Sequence, residues 1–185
     1  MSTSMNATQD WIAAAQEIME LMASNIPEIK FIDLWAEQVF TPEDEYPFPT
    51  PAAFLEFNVN NIDDVGENVQ DLNTHITVYL LYLPTGDTHQ GSTGNGDLEL
   101  FGGLLRDIYR LFQGQGGENF SQAIRISLKR EKAAPYEWVY SQTFSCLIRD
   151  YGAVKEFIDQ EIGDATSIVK GRIPSIALDN MYDPG

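Results

Sequence analysis

The glycine-rich segment TGDTHQGSTGNG, residues 85–96, has the residue types and spacing nearest to a recognised chemistry, which is phosphate binding. Gly91 and Gly96 have the spacing of the two glycines of a P-loop, and they stand between a predicted strand and a predicted helix. The lysine position of that motif is occupied by Asp97, whose carboxylate would repel phosphate. The dinucleotide-binding pattern also fails, because Glu99 stands at its third glycine position. We therefore predict no nucleotide site here.

A second candidate is the acidic segment NNIDDVGEN, residues 60–68, which invites comparison with a calcium loop. When Gly66 is aligned with the glycine of an EF-hand, Val65 falls on a ligand position and Leu72 falls where the bidentate glutamate belongs. The EF-hand motif is therefore absent, and the segment is predicted to be a turn between two strands. Weak calcium binding stays open for three carboxylates of this segment: Asp63, Asp64 and Glu67.

The histidines and the single cysteine do not form a reactive set. His75 and His89 have no partner at a metal-ligand spacing, which favours surface or edge histidines. Cys146 shares a strand face with Phe144 and Ile148, which favours a buried, unreactive thiol. One cysteine excludes an internal disulfide and fits a reducing compartment. We predict that the protein is not an enzyme and that it uses no cofactor and no metal.

The charge of the chain is large and unevenly distributed. The net charge is −17; residues 1–105 contain 17 acidic side chains and one basic side chain, whereas residues 106–185 contain 11 acidic and 10 basic ones. Gripping a phosphate backbone needs clustered Lys and Arg, so the first half is a poor nucleic-acid binder. An acidic surface can still face DNA by repelling it. The alternative is a solvated face that keeps the protein soluble.

Seven elements are predicted to position these residues, in the order α-β-β-β-α-β-β. The predicted helices span residues 10–23 and 97–112, where apolar residues recur at helical spacing, and the predicted strands span 29–36, 53–59, 72–83, 123–130 and 138–149. The connections favour an antiparallel meander for the first three strands and a hairpin for the last two. This predicts an α+β fold with two packed helices and a mainly antiparallel sheet of four to five strands.

Three details of packing follow from the same patterns. The fourth strand is predicted to turn Ile124, Ile126 and Leu128 toward the core, and to turn Arg125, Ser127 and Lys129 away from it. The second helix is predicted to have an apolar face that begins at Leu98, and its adjacent glycines, Gly102 and Gly103, predict close packing on the sheet or a kink. The apolar end of the third strand, residues 78–83, is predicted to lie between the helices and a partner or the C-terminal arm.

The end of the chain differs from the rest. Residues 1–150 are predicted to form one α+β domain, and residues 151–185 a C-terminal arm that contains a short helix and then apolar residues without a clear period. An arm without contacts would have no need of these apolar side chains. We predict that it contacts a neighbouring subunit through Phe157, Ile158, Ile162, Ile173, Ile176, Leu178 and Tyr182.

Neither a signal peptide nor a membrane span is predicted. The first ten residues, MSTSMNATQD, have no basic region followed by an apolar one, and no later run reaches the roughly 18 apolar residues of a membrane span. We therefore expect a soluble protein that has no contact with a membrane.

The element order and the texture of several segments resemble the tail-terminator and tail-completion proteins of tailed bacteriophages. The segments are the opening helix followed by NIPEIKFIDLWAEQ, then PFPTPAAFLEF, THITVYLLYLP and WVYSQTFSCLIRDYG, and the resemblance covers about residues 8–150. It implies a structural virion protein without catalytic residues. Such proteins form a homo-oligomeric ring, commonly a hexamer, that closes the tail tube at the neck and lets DNA pass without sequence-specific binding.

The resemblance also sets expectations for partners and site residues. The partners would be the tail tube and the neck or connector proteins, and the location would be the virion, after synthesis in the host bacterial cytoplasm. The arm departs from the compact members of the family, which leaves another phage neck or tail adaptor open, and a small-molecule-binding α+β enzyme is a further alternative. The carboxylates expected to line the DNA passage are Glu43, Asp44, Glu45, Asp63, Asp64 and Glu67.

Overall fold

The computed structural model describes residues 10–35, 48–86, 89, 91–92, 95–132 and 138–154. Contacts divide the chain into a first unit, Met1–Lys155, and a second unit, Glu156–Gly185, and every described residue belongs to the first. Apart from residues 151–154, the C-terminal arm lies outside the described residues. The domain boundary at residue 150 and the role of the arm therefore stay predictions.

Two helices and five strands make up the described part of the chain, in the predicted order. The helices are α1 (Asp10–Asn25) and α2 (Asn95–Phe112), and the strands are β1 (Phe31–Leu34), β2 (Ala52–Gly66), β3 (Val69–Tyr82), β4 (Ile124–Glu131) and β5 (Trp138–Asp150). The strands form one sheet in the order β1-β2-β3-β5-β4. All neighbours except β1 and β2 are antiparallel. The α+β fold with a mainly antiparallel sheet is confirmed.

The main core lies between the sheet and the two helices. Side chains alternate along a strand, so every second residue of β3 and β5 points toward α1 and α2. Among the buried side chains are Ala14, Ile18 and Met22 of α1, Phe101, Leu104 and Ile108 of α2, Leu72, Ile76 and Leu80 of β3, and Phe144, Cys146 and Ile148 of β5. Burying one large apolar side chain contributes roughly 1.5–3 kcal/mol, so this layer supplies most of the stability.

The opposite face of the sheet, defined as the face away from α1 and α2, has a smaller apolar cluster near β1. Its buried residues are Ala52, Phe54, Leu81 and Val139, and the rings of Phe31, Trp35, Phe48 and Tyr79 pack against them. Trp35 stacks on Tyr79 with ring centroids 4.1 Å apart. The sequence predicted that a partner or the C-terminal arm would cover the apolar end of β3. Aromatic side chains of the same domain cover it on this face instead.

The predicted meander of the first three strands is wrong in one pairing, because β1 runs parallel to β2. Phe31 pairs with Ala52, and Leu34 pairs with Leu55. A parallel neighbour needs a crossover connection of about a dozen residues or more. The chain between Leu34 and Ala52 is long enough to provide one, so the connection length did not force an antiparallel pairing.

β2 is also longer than predicted, since residues 60–66 continue the strand instead of forming a turn. Its ladder with β3 extends to Gly66, with register shifts between Val59 and Asn61 and between Asp64 and Gly66. Asn and Asp have low strand propensity. Hydrogen bonds to the neighbouring strand override that local preference.

The start of β4 contradicts the predicted inside and outside, whereas Ser127 and Lys129 lie away from the helices as predicted. Ile124, Ile126 and Leu128 are 55%, 53% and 49% exposed. Arg125 points toward the helices instead, with its guanidinium carbon 3.8 Å from the centroid of the Tyr109 ring. β4 lies at the edge of the sheet, and a register shift between Arg125 and Ser127 interrupts its alternation. The edge position leaves the apolar side chains uncovered, and the shift changes the face that each following residue takes.

The glycines of α2 do not serve close packing on the sheet. A Cβ atom added at Gly102 would meet no atom within 4 Å, and one at Gly103 would meet only the end of the Arg106 side chain at 4.0 Å. The predicted apolar face of the helix is otherwise buried through Phe101, Leu104, Ile108 and Phe112, but its first member, Leu98, is exposed.

Candidate functional site

The candidate site is the hairpin formed by the end of β2 and the start of β3, which is here called the acidic hairpin and spans residues 56–71. Its two turn residues, Glu67 and Asn68, have φ of 55° and 63°. Two consecutive residues with positive φ are the signature of a type I′ hairpin turn, whose twist matches that of the flanking strands. Five carboxylates and no basic side chain occur in the hairpin: Glu56, Asp63, Asp64, Glu67 and Asp71.

The three predicted passage residues that the structure describes, Asp63, Asp64 and Glu67, all lie on this hairpin and are exposed. Asp63 is held in place by two amides, because its Oδ1 accepts from Asn61 Nδ2 and its Oδ2 from Asn73 Nδ2, both at 2.8 Å. Asp64 Oδ1 accepts from the backbone N–H of Gly66 at 2.9 Å. Within the described ranges, no basic side chain forms an ion pair with these three carboxylates.

Asp63 and Asp64 lie on different faces of the hairpin. Asp63 pairs with Asp71 across the ladder, and Asp71 pairs in turn with Arg149 of β5. Cross-strand partners share a face. Asp63 therefore lies on the opposite face, whereas Asp64 lies on the side of the helices and Glu67 occupies the turn.

Asp71 is the hairpin carboxylate that has a basic partner. Arg149 donates to it through two nitrogens, Nε at 2.7 Å and Nη2 at 3.0 Å. The hydrogen bond from Arg149 lowers the pKa of Asp71, and the same bond raises the pKa of Arg149. This pair fastens the base of the hairpin to β5 and leaves the charge of the tip unbalanced.

The hairpin also exposes apolar side chains. Val59, Ile62 and Val65 are 44%, 54% and 51% exposed, although β2 is well buried nearer to β1. Because of the register shift after Val59, these residues do not follow a strict two-residue period. The hairpin thus combines carboxylates with uncovered apolar surface, which is a typical composition for an interaction surface.

Asp97, which stands at the lysine position of the rejected P-loop pattern, has a structural role. Asp97, near the start of α2, accepts from the hydroxyl of Tyr82 at 2.7 Å through Oδ1 and from the backbone N–H of Thr85 at 2.7 Å through Oδ2. The bond from Tyr82, followed by the one from Thr85, lowers the pKa of Asp97. Burial and the contact with Asp97 raise the pKa of Tyr82 to about 12. Asp97 therefore ties the end of β3 to the start of α2.

The two histidines and the cysteine considered from the sequence do not lie together in one site. His75 is half-buried on the opposite face, His89 is exposed, and Cys146 is buried in the main core, where burial raises its thiol pKa to about 12. In the part of the chain that the structure describes, no three His, Cys, Asp or Glu side chains are grouped so as to hold a metal ion. Asp63, Asp64 and Glu67 do not form such a group.

The other predicted site residues lie outside the described residues. These are the passage carboxylates Glu43, Asp44 and Glu45, and the interface residues Phe157, Ile158, Ile162, Ile173, Ile176, Leu178 and Tyr182. Their roles stay predictions.

Sequence reasoning missed two polar arrangements that shape the sheet edge at β4. Glu17 of α1 accepts from the backbone N–H groups of Glu118 and Asn119, at 2.7 Å and 2.9 Å. Gln142 of β5 is 1% exposed; its Nε2 donates to the carbonyl of Leu105 at 2.7 Å, and its Oε1 accepts from Arg125 at 3.0 Å. The only local signal was a polar residue on an apolar face, as at Gln142, because the partners are far apart in sequence.

No family model and no curated protein matches this chain. Among the described residues, neither α1 nor α2 has the length and apolar composition needed to cross a membrane. Function therefore has to be argued from the charges and exposed surfaces described above.

Proposed function

We propose that this protein is a structural component of a phage virion, which forms a ring, commonly a hexamer in the family it resembles, at the junction of neck and tail. The observation that carries the proposal is the acidic hairpin, where Asp63, Asp64 and Glu67 are exposed without a basic partner among the described residues. DNA moves through a ring without being held when the wall of the ring repels its phosphates.

The opposite face of the sheet supports this role. Around Asp63 and Asp71 its side chains are polar rather than apolar, namely the half-buried His75 and Thr143 and the buried Thr77. Thr77 Oγ1 and Thr143 Oγ1 lie 3.1 Å apart and hydrogen-bond each other. Around Asp63 this face has hydroxyls and carboxylates, and its Arg149 is paired with Asp71, so in this proposal it faces the passage and the helices face outward.

Labelling of particles tests the location. Phage particles from the host that encodes the chain would be labelled with gold-conjugated antibody to this protein and viewed by electron microscopy. We expect label at the junction of head and tail. Label elsewhere in the particle would favour another adaptor role, and particles without the protein would overturn a virion function.

The structure of the purified assembly tests the passage. We expect Asp63 to lie on the inner wall of the ring. An assembly with all of the hairpin carboxylates on its outer wall would contradict the proposed DNA passage, while leaving the location in the virion to the labelling experiment.

A further inference from the structure

We propose that copies of this chain join head to tail, with the outer edge of β2 in the acidic hairpin pairing with the outer edge of β4 of the next copy. The inference deepens the proposed function, since it names the two surfaces that would close the ring. Only the closure into a ring rests on the proposed function. The pairing of the two strands is supported by the properties of their edges.

The first edge is the outer side of β2 beyond Leu55. β1 pairs with β2 as far as Leu55, to whose carbonyl the backbone N–H of Trp35 donates at 2.8 Å. From Glu56 to Gly66, no described strand lies on that side. The backbone N–H and C=O groups that point outward there can pair with another strand.

The second edge is the outer side of β4. The start of that strand is covered, because Gly114 donates to the carbonyl of Ala123 at 2.8 Å and Gln113 Oε1 accepts from the backbone N–H of Arg125 at 3.0 Å. From Ile126 to Glu131, no described strand lies on the outer side. This uncovered stretch is long enough to take a strand of ordinary length.

Both edges expose apolar side chains that no described residue covers. Val59, Ile62 and Val65 stand along the first edge, and Ile126 and Leu128 along the uncovered part of the second, each about half exposed. Pairing these edges with the helices of both copies on the same side would bring Val59 and Ile62 onto the face that holds Leu128. Two exposed apolar rows on edge strands are an aggregation hazard unless they have a defined partner.

Charge decides which edges meet. The acidic hairpin has five carboxylates and no basic residue, whereas residues 124–132 contain four basic residues and one acidic residue. Pairing β2 with β2, or β4 with β4, would bring like charges together and is disfavoured. Pairing β2 with β4 instead places the acidic hairpin beside the basic stretch of residues 124–132. A second copy of this chain therefore supplies the complementary edge.

This contact is heterologous, because it joins two different surfaces. Repeating it produces a closed ring when the rotation closes and an open filament when it does not. The pairing uses the backbone edge, so Asp63 on the opposite face stays available to the proposed passage.

The test uses the full-length chain, size-exclusion chromatography with light scattering, and two charge-reversed variants. The edge variant carries Lys129→Glu and Lys132→Glu, and the hairpin variant carries Asp64→Lys and Glu67→Lys. A matched control carries Glu20→Lys and Glu28→Lys, which change the net charge as the hairpin variant does but lie at exposed positions in and after α1. Circular dichroism checks that each variant folds.

We expect the wild type and the control to have a mass that is a multiple of 20.8 kDa, and each variant alone to fall to 20.8 kDa. Mixing the two variants should restore the multiple, since each then meets an edge of opposite charge. Restoration by mixing also shows that neither variant has merely failed to fold.

Three results would overturn the proposal. The first is a wild type that stays at 20.8 kDa at every concentration, which would mean that Lys129 and Lys132 prevent edge pairing. The others are a single variant that keeps the mass of the wild-type assembly, and a mixture of the two variants that does not regain that mass. If the wild type assembles but the variants do not respond, the copies join elsewhere and the proposed ring is unaffected. The labelling of particles tests the virion role independently of all three.

Discussion

The two strands of the last hairpin, β5 and β4, share an alternation of apolar and polar residues but have different surroundings. Both alternate apolar and polar residues, yet Phe144 and Ile148 of β5 are 1% and 0% exposed, whereas Ile124 and Ile126 of β4 are more than half exposed. β5 lies between β3 and β4 beneath the helices, while β4 lies at the edge of the sheet. The comparison teaches that alternation predicts a strand but does not predict which of its faces, if any, is covered.

The difference extends to how each strand is held. β5 is stabilised by burial in the main core. β4 is held by its ladder to β5, by Arg125 stacked on Tyr109, and by the chain before it, which is anchored to Glu17 of α1. β4 thus depends on polar contacts, and its apolar side chains are left for another surface.

The sharpest test of this comparison is the same substitution in both strands. Ile148→Ala should lower the free energy of unfolding by about 2–5 kcal/mol, because it removes a buried side chain and leaves a cavity. Ile126→Ala should cost less than about 1 kcal/mol, as is usual for an exposed position. Urea denaturation below the concentration of self-association measures both. Equal costs would mean that the β4 edge is covered in the single chain.

The anchoring of β4 is tested by Gly117→Ala. A Cβ atom there would collide with the Glu17 carboxylate and the Phe120 ring, and would displace a carboxylate that accepts from Glu118 and Asn119. We expect a loss of about 1–3 kcal/mol, the cost of leaving such hydrogen bonds unmade. The measurement is again urea denaturation.

A double-mutant cycle provides the control for that prediction. Glu17→Ala removes the same hydrogen bonds, so combining it with Gly117→Ala should cost little more than the larger single change. Fully additive costs would show that Gly117 is needed for a reason unrelated to Glu17.

A glycine substitution in α2 should stabilise the fold, the opposite of the effect expected at Gly117. Gly102→Ala should raise the free energy of unfolding by about 0.5–1 kcal/mol, because alanine favours a helix interior over glycine and nothing obstructs the added methyl group. Thermal unfolding followed by circular dichroism measures it. A destabilised variant would indicate that α2 packs against something at this position.

The smallest effect is expected in the pH dependence of Tm, through the hydrogen bonds by which Asp97 connects the end of β3 to α2. The folded-state pKa of Asp97 lies below its ordinary value of 3.8, so its contribution is complete above that pH and is lost as the pH falls through the lower folded-state pKa. Asp97→Asn should therefore flatten the decline of Tm in acid while lowering Tm slightly at neutral pH. An unchanged acid profile would assign the decline to other groups, of which Asp71 is the first to test by Asp71→Asn.

The sequence predicted the order of elements well, because periodicity within one segment depends on local contacts. α2 and β5 illustrate this, as their observed bounds lie within two residues of the predicted ones. The candidate site was only partly predictable. The carboxylates Asp63, Asp64 and Glu67 were identifiable as exposed, but their segment was expected to be a turn and is a strand.

By itself, the sequence determined the α+β class, the amphipathic helices, the burial of Cys146 and the separation of charge along the chain, since each depends on residue types and local spacing. The tertiary structure alone decided that β1 runs parallel to β2, that Arg125 rather than Ile126 faces the helices, and that Asp71 pairs with Arg149. Those outcomes depend on which strands become neighbours and in which register. A register shift of one residue moves a side chain to the other face, and no local pattern encodes that shift.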